Sequence, residues 1–370
     1  MIVALFPELL VTGGIQRVGR HAAVVLTGFA AERGMHCRSL SLNDAAGTHR
    51  NRLGRLEFDF SGFGRAKARF VSTALRHALS RPQLVVAAHP HLAPLAWAMK
   101  AIAPALRTVV VTYGIDVWTP LWVPRRMALR RADLVLAISS DTARHLVTVQ
   151  KVREERVRLL PLALDPEFAT AAATAGETTR THRSPDGKIL LTVGRQVAPD
   201  RYKGVDLLIQ AVSRLQRSVP DLSLLVIGDG DDRPRLERMA QASGVGERVH
   251  FWGHVPSDTL ASAYRRCDVF AMPSAGEGFG LVFLEAMAFG KAVIGGAHGG
   301  TPDVVEDGVT GYLVQHGDLD SLTHALERLL PDDGLRKEMG RRAQEQVHST
   351  FLFEHFERRL TDILEQACGV

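Results

Sequence analysis

The chain reads as short apolar runs alternating with longer segments of helical period. Runs at 2–6, 84–88, 108–112 and 134–138 in the first half, and at 189–193, 222–227, 249–251, 269–272 and 292–294 in the second, have the length and flanking turn residues of strands. They are predominantly apolar rather than alternating, as parallel strands covered on both faces should be. Helical spacing marks 18–31, a segment ending at Met99, 205–215, 281–289, 319–347 and a last stretch, 351–366, that is aromatic on one side. Ser139-Ser140-Asp141 carries N-cap chemistry, and Gly290 stands where a helix needs a C-cap glycine. This alternation predicts an α/β chain of doubly wound sheets, with its sites beyond the carboxyl ends of the strands.

A length of 370 residues suits two domains. The first spans 1–168, closed by the apolar run 157–164 and Asp165-Pro166-Glu167-Phe168. Residues 169–187 are small and polar and read as a linker that cannot build a core. The second domain covers 188–350, with a hairpin-like turn and strand at 308–314, and 351–370 forms a separate last helix.

Residues able to do chemistry collect where strands end. After the strand at 269–272 comes a glycine-containing turn, Ser274-Ala275-Gly276-Glu277-Gly278-Phe279-Gly280, that runs into the helix beginning near Leu281. Such a turn leaves backbone N–H groups at the positive end of a helix, where a phosphate can sit. Glu277 and Glu285 frame it, eight positions apart. A carboxylate among Leu, Val, Phe, Ala and Met needs a partner if buried. A pair of sugar or ribose hydroxyls is one solution, and a solvated helix face is the other. The first strand likewise runs into Thr12-Gly13-Gly14-Ile15-Gln16-Arg17, a phosphate cradle or a plain tight turn, and not the dinucleotide fingerprint. Gly194-Arg195 and Lys203-Gly204 place two cations between a strand end and a helix start, which suits a diphosphate. His89, His91 and the run Tyr113-Gly114-Ile115-Asp116 follow two strands of the first half.

Charge is uneven. Residues 1–187 hold 25 lysines and arginines against 14 acids, a net of +11, while 188–370 have a net of −6. The basic half points to an anionic partner, either a membrane surface or a phosphate-bearing acceptor, with a solvated surface as the alternative. No nucleic-acid motif or stacking-aromatic pattern is present. Cys37, Cys267 and Cys368 lack metal-ligand spacing and suit a reducing cytoplasm. No apolar run is long enough to span a membrane.

The segment 268–300, with Pro273-Ser274 before Glu277-Gly278-Phe279-Gly280 and Glu285-Ala286-Met287, resembles the E-x7-E signature of retaining GT-B glycosyltransferases, the "group 1" nucleotide-sugar transferases. The resemblance implies two Rossmann-like domains facing a central cleft, the first binding acceptor and the second donor, with the C-terminal helix returning to the first. It implies catalytic roles for Glu277, Arg195 and Lys203. Donor contacts would come from Gly13, Gly14, Gly228, His254, Val255, Gly278, Phe279, Gly280, Leu281 and Glu285. Arg17, His89, Tyr113 and Asp116 would lie on the acceptor or donor-sugar side. Many relatives carry histidine where this chain has Tyr113, and an imidazole's role does not transfer to a phenol. The implied reaction moves a hexose from a UDP- or GDP-sugar to a glycan, lipid-linked or small-molecule acceptor, with retention and without metal or other cofactor. The implied place is the cytoplasm or the inner face of its membrane. A nucleotide-sugar epimerase and a non-catalytic nucleotide-sugar-binding module are the alternatives. A phosphorylase would need a pyridoxal-phosphate lysine and a far longer chain.

Overall fold

Apolar runs in both halves become parallel strands in the computed structural model, which describes residues 1–11, 13–174 and 185–369. The chain divides into two units, Met1–Pro166 with Phe353–Val370, and Glu167–Leu352. In the first, β1 (Ile2–Phe6) leads to α1 (Gly14–Glu32), then β2 (Cys37–Ser41) and a hairpin of β3 (Gly47–Leu53) and β4 (Leu56–Gly62). There follow α2 (Lys67–Leu79), β5 (Leu84–Ala87), α3 (Ala93–Ile102), β6 (Arg107–Thr112), α4 (Val123–Arg131), β7 (Leu134–Ala137), α5 (Ser140–Thr148) and β8 (Val157–Leu159). The sheet runs β3-β4-β2-β1-β5-β6-β7-β8, and β3 alone is antiparallel to its neighbour. The foreseen cap is present: the Ser139 hydroxyl accepts from Thr142 N at the start of α5.

The second unit opens with α6 (Pro166–Ala173), followed by β9 (Lys188–Val193), α7 (Val205–Leu215), β10 (Leu222–Ile227), α8 (Arg233–Ala242), β11 (Val249–Gly253), α9 (Ser257–Arg266), β12 (Val269–Met272), α10 (Leu281–Ala288), β13 (Ala292–Gly296), β14 (Gly311–Val314), α11 (Leu319–Leu329) and α12 (Asp333–Gln346). Its sheet, β11-β10-β9-β12-β13-β14, is wholly parallel. In each unit the strand order reverses at one point, beside β1 and β5 in the first and beside β9 and β12 in the second. Loops splay apart at such a point and leave a crevice. The loops after these four strands carry Gly13-Gly14, His89, Arg195 with Lys203, and Glu277.

Three boundaries differ from expectation. Only 157–159 of the apolar run 157–164 is strand. Pro166–Ala173 is helical and runs into the expected linker, and Phe168, expected at the end of the first domain, packs edge-on to Tyr264 of the second unit. The remainder of the linker, 175–184, and Thr12 lie outside the described residues. The 308–314 segment makes its turn at Gly308 and Gly311, but β14 then pairs parallel with β13.

The last helix, α13 (Phe353–Cys368), joins the first unit through α1. Phe353 and Phe356 set their edges against the His21 ring, and Arg33 pairs with Glu365. His21 is buried, and among the described residues neither of its ring nitrogens has a hydrogen-bond partner. Burial lowers its pKa to about 4, opposed by Asp165 at 4.0 Å. Because the folded pKa lies below the ordinary value near 6.5, the native state rejects the proton that the unfolded chain accepts. Stability is therefore full above about pH 6.5 and falls by up to ~3 kcal/mol toward pH 4. Urea unfolding at pH 7 and pH 5 tests this: His21→Leu is expected to flatten the difference, and an unchanged pH dependence would assign it to other groups.

Candidate active site

In the second unit, β12 ends at Met272 and the chain turns through 273–280 before α10 begins. Gly280 sits at φ 95°, and a Cβ there would lie 2.6 Å from the Phe283 ring, so no other residue fits without a shift. The first N–H groups of α10 thus stand at the strand's carboxyl edge. The loop is held from behind by Phe279 packed edge-on to Phe351 at 5.9 Å. Gly300 N donates to the Glu277 carbonyl and Ala275 N to that of Tyr202, both at 2.7 Å.

Glu277 points its carboxylate into a largely enclosed position, with 13% of the side chain exposed. Among the described residues its Oε1 has no hydrogen-bond partner, and Lys203 Nζ stands 3.9 Å away. Burial pushes its pKa up, with Lys203 opposing. Arg195, just past β9, reaches Asp200 at 2.9 Å, and Lys203 lies 4.0 Å from the same carboxylate. Asp200 is buried and was not foreseen. Two cations are thereby matched by two acids. Tyr202 belongs to the same group: burial, then Glu277 and Asp200, push its phenol up.

The floor beside these residues is built from backbone. Gly228 has φ 119°, and a Cβ there would come within 2.0 Å of the Gly194 carbonyl. Gly228 N donates to the Gly253 carbonyl at 2.8 Å, so the ends of β9, β10 and β11 meet without side chains. Next along the chain, His254 is exposed and Val255 half-buried. Glu285 is 2% exposed and accepts a hydrogen bond from the Tyr264 hydroxyl at 2.8 Å. The partner that its burial demanded is thus found within the chain.

In the first unit, the loop after β1 is tied by Asp44, whose carboxylate accepts from Leu9 N at 2.7 Å and Leu10 N at 3.2 Å, and by Arg20, which donates to the Leu9 carbonyl. Gly13 precedes α1, Gly14 begins it, and Arg17 on its first turn lies 3.7 Å from Asp165. Past β5 and β6, His89 stacks on Tyr113 with ring centroids 6.0 Å apart. The Tyr113 phenol is buried and donates to the Ala88 carbonyl at 3.0 Å. The one proton it can give goes to the main chain.

The imidazole in this place is that of His89. Its Nδ1 accepts from His91 N, which leaves the proton on Nε2, 3.9 Å from Asp116 Oδ2. Burial, then His91 and Arg125, lower the His89 pKa to about 4. Burial raises that of Asp116 to about 7, against hydrogen bonds from Tyr113 N to both oxygens. A neutral N–H donor and a carboxyl acceptor at this spacing can share one hydroxyl.

Sequence reasoning missed the roles of Asp44, which ties the loop before Gly13, and of Asp200, Tyr264 and Asp165, each of which meets a residue it did find. Among the described residues no three histidine, cysteine, aspartate or glutamate side chains converge to hold a metal, and no helix is long and apolar enough to cross a membrane.

The profile described as "Glycosyl transferases group 1" matches residues 177–346, and that described as "Glycosyltransferase Family 4" matches 17–168. The chain is similar to the GDP-mannose-dependent alpha-(1-6)-phosphatidylinositol monomannoside mannosyltransferases of Mycolicibacterium smegmatis and Mycobacterium tuberculosis. To the first it is 34% identical over 64% of each chain. To the second it is 32% identical over 71% of this chain and 70% of the relative. In structure it resembles Anabaena Alr3699/HepE solved with UDP, with a TM-score of 0.77 over 99% of both chains at 18% identity, which is a likeness of fold. Two wound parallel sheets, glycine turns at their switch points and these matches together lead to one assignment: the chain belongs to the group 1 glycosyl transferases and has the GT-B fold.

Proposed function

We propose that the protein transfers a hexose from a UDP- or GDP-sugar to a glycan, lipid-linked or small-molecule acceptor, with retention of anomeric configuration and without a resident metal. The observation that carries this reading is the loop cluster of Arg195, Asp200, Lys203 and Glu277 beside the start of α10. Departure of a nucleoside diphosphate builds negative charge on its phosphates, and fixed cations beside helix N–H groups stabilise that charge. Arg195 and Lys203 take this role, Glu277 binds a hydroxyl of the transferred sugar, and Glu285 binds the ribose. The backbone of Phe279, Gly280 and Leu281 faces the phosphates, and that of His254 and Val255 the base. Gly13 and Gly14 contact the donor, and Arg17, His89 and Asp116 serve the acceptor or donor-sugar side.

A thermal-shift panel of UDP-, GDP- and ADP-sugars identifies the donor. A ligand at ~100 times its dissociation constant adds about 2.7 kcal/mol of stability. The expected result is a shift with one base that Glu285→Gln weakens; no shift with any of them would remove the donor site.

Acceptors embedded in a lipid surface fit the first unit. The large apolar side chains that stand exposed among the described residues, Trp122, Val123, Ile115, Leu10 and Val11 with them, all belong to it, and it is the basic half. Co-sedimentation with phosphatidylglycerol vesicles at low salt is the expected behaviour, lost at high salt. Protein that stays in the supernatant would confine the acceptor to soluble molecules and leave the transferase reading intact.

A further inference from the structure

We infer that Tyr264 is a positioning residue for the donor site, holding the Glu285 carboxylate in the one orientation that grips the ribose hydroxyls. The inference rests on the donor reading above and adds a residue to it.

Glu285 stands on α10 among Phe283, Leu284, Ala286 and Met287, all buried. A glutamate has three side-chain torsions, and an ionised carboxylate in such surroundings needs a donor to stay there. Tyr264 supplies one at 2.8 Å, across 21 positions of sequence and from a different helix, α9. The phenol is itself immobile. Its ring is fully buried, stacked on Phe289 at 5.9 Å and 14°, tilted against Phe270 at 5.9 Å and met edge-on by Phe168 at 6.3 Å. Three aromatic neighbours therefore fix the ring, the ring fixes the hydroxyl, and the hydroxyl fixes one carboxylate oxygen. A site that binds two hydroxyls with one carboxylate must hold it to within about half an ångström, which a lone side chain on a helix does not achieve.

Tyr264→Phe removes one oxygen and keeps the ring stack, so the fold is retained. The test measures dissociation constants of UDP and GDP, and of their 2′-deoxy counterparts, for the wild type, Tyr264→Phe and Glu285→Gln. In the wild type the ribose form of the preferred base should bind more tightly than the deoxy form. Tyr264→Phe is expected to weaken the ribose form by roughly 10- to 100-fold while leaving the deoxy form within about twofold, so that the discrimination collapses, as one lost hydrogen bond to a charged group predicts. Equal weakening of both forms would mean that Tyr264 only supports the fold, and it would overturn the inference. So would an unchanged ratio in Tyr264→Phe beside a collapsed one in Glu285→Gln; in that case Glu285 keeps its ribose role. An unchanged ratio in Glu285→Gln, or no binding of either diphosphate by the wild type, would overturn the donor reading and this inference together.

Discussion

Lys203→Ala is expected to lower kcat by roughly 10²- to 10³-fold, the loss that follows when one fixed group facing a developing anion is removed. Lys203 is suited to that task because it is held before the reaction begins. Its ammonium lies 3.9 Å from Glu277 and 4.0 Å from Asp200, and Gly194 leaves room for its stem to pass at 3.4 Å from where a Cβ would stand. The start of α7 at Val205 is two residues on and adds its partial charge to the same place. The substitution also removes the counter-charge of two enclosed acids, so the protein without substrate should lose about 1–3 kcal/mol of stability. Assaying below both melting temperatures separates the two effects, and Lys203→Arg should restore stability more fully than rate, because a guanidinium cannot occupy the point position of an ammonium. The readout is release of nucleoside diphosphate at saturating donor. A loss in kcat below about fivefold, under about 1 kcal/mol, would take Lys203 out of the chemistry.

The parts of this molecule that were legible in its sequence are those governed by local pattern. β10, β12 and α7 carry the boundaries read from apolar runs and helical spacing, since parallel strands buried on both faces are mostly apolar and an amphipathic helix declares its face. The β3–β4 hairpin went unread for the opposite reason. Gly47–Leu53 is a polar edge strand, GTHRNRL, whose ladder partner is only one strand, so nothing forces it to be apolar. α6 is a run of small residues without periodic contrast. At the site, glycines and the cations beside them were readable because turns and helix starts constrain residue type at each position. Their partners were not. Asp44 lies 35 positions from the loop it ties, and Tyr264 lies 21 from the carboxylate it holds. Each is a single residue within an ordinary segment, and only the closed fold brings it to its partner. Tyr113 shows the same limit: its residue type was plain, but the carbonyl that takes its proton comes from the neighbouring strand's end.

Glu277→Gln is expected to move stability and activity in opposite directions. Glu277 is an enclosed acid whose Oε1 faces Lys203 at 3.9 Å but has no hydrogen bond among the described residues, and burial raises its pKa. For an acid whose folded pKa lies above its unfolded value, folding is opposed once pH exceeds the unfolded pKa, because the native state resists an ionisation that the unfolded chain accepts. At neutral pH this cost is present, and the amide removes it while keeping shape and volume. The substrate-free variant is therefore expected to be as stable as the wild type or more stable, by on the order of 1 kcal/mol, and Lys203, relieved of one acid, keeps Asp200 as its partner. Activity should fall by roughly 10²-fold or more if the carboxylate holds a sugar hydroxyl in the transition state, since a charged acceptor binds a hydroxyl more strongly than an amide oxygen does. The gain in stability should also vanish below about pH 4, where Glu277 is protonated in both states. A variant that is both less stable and fully active would assign Glu277 to anchoring Lys203 alone. A variant more stable and nearly inactive would place at this carboxylate the strain that a binding site tolerates in order to be ready for its ligand.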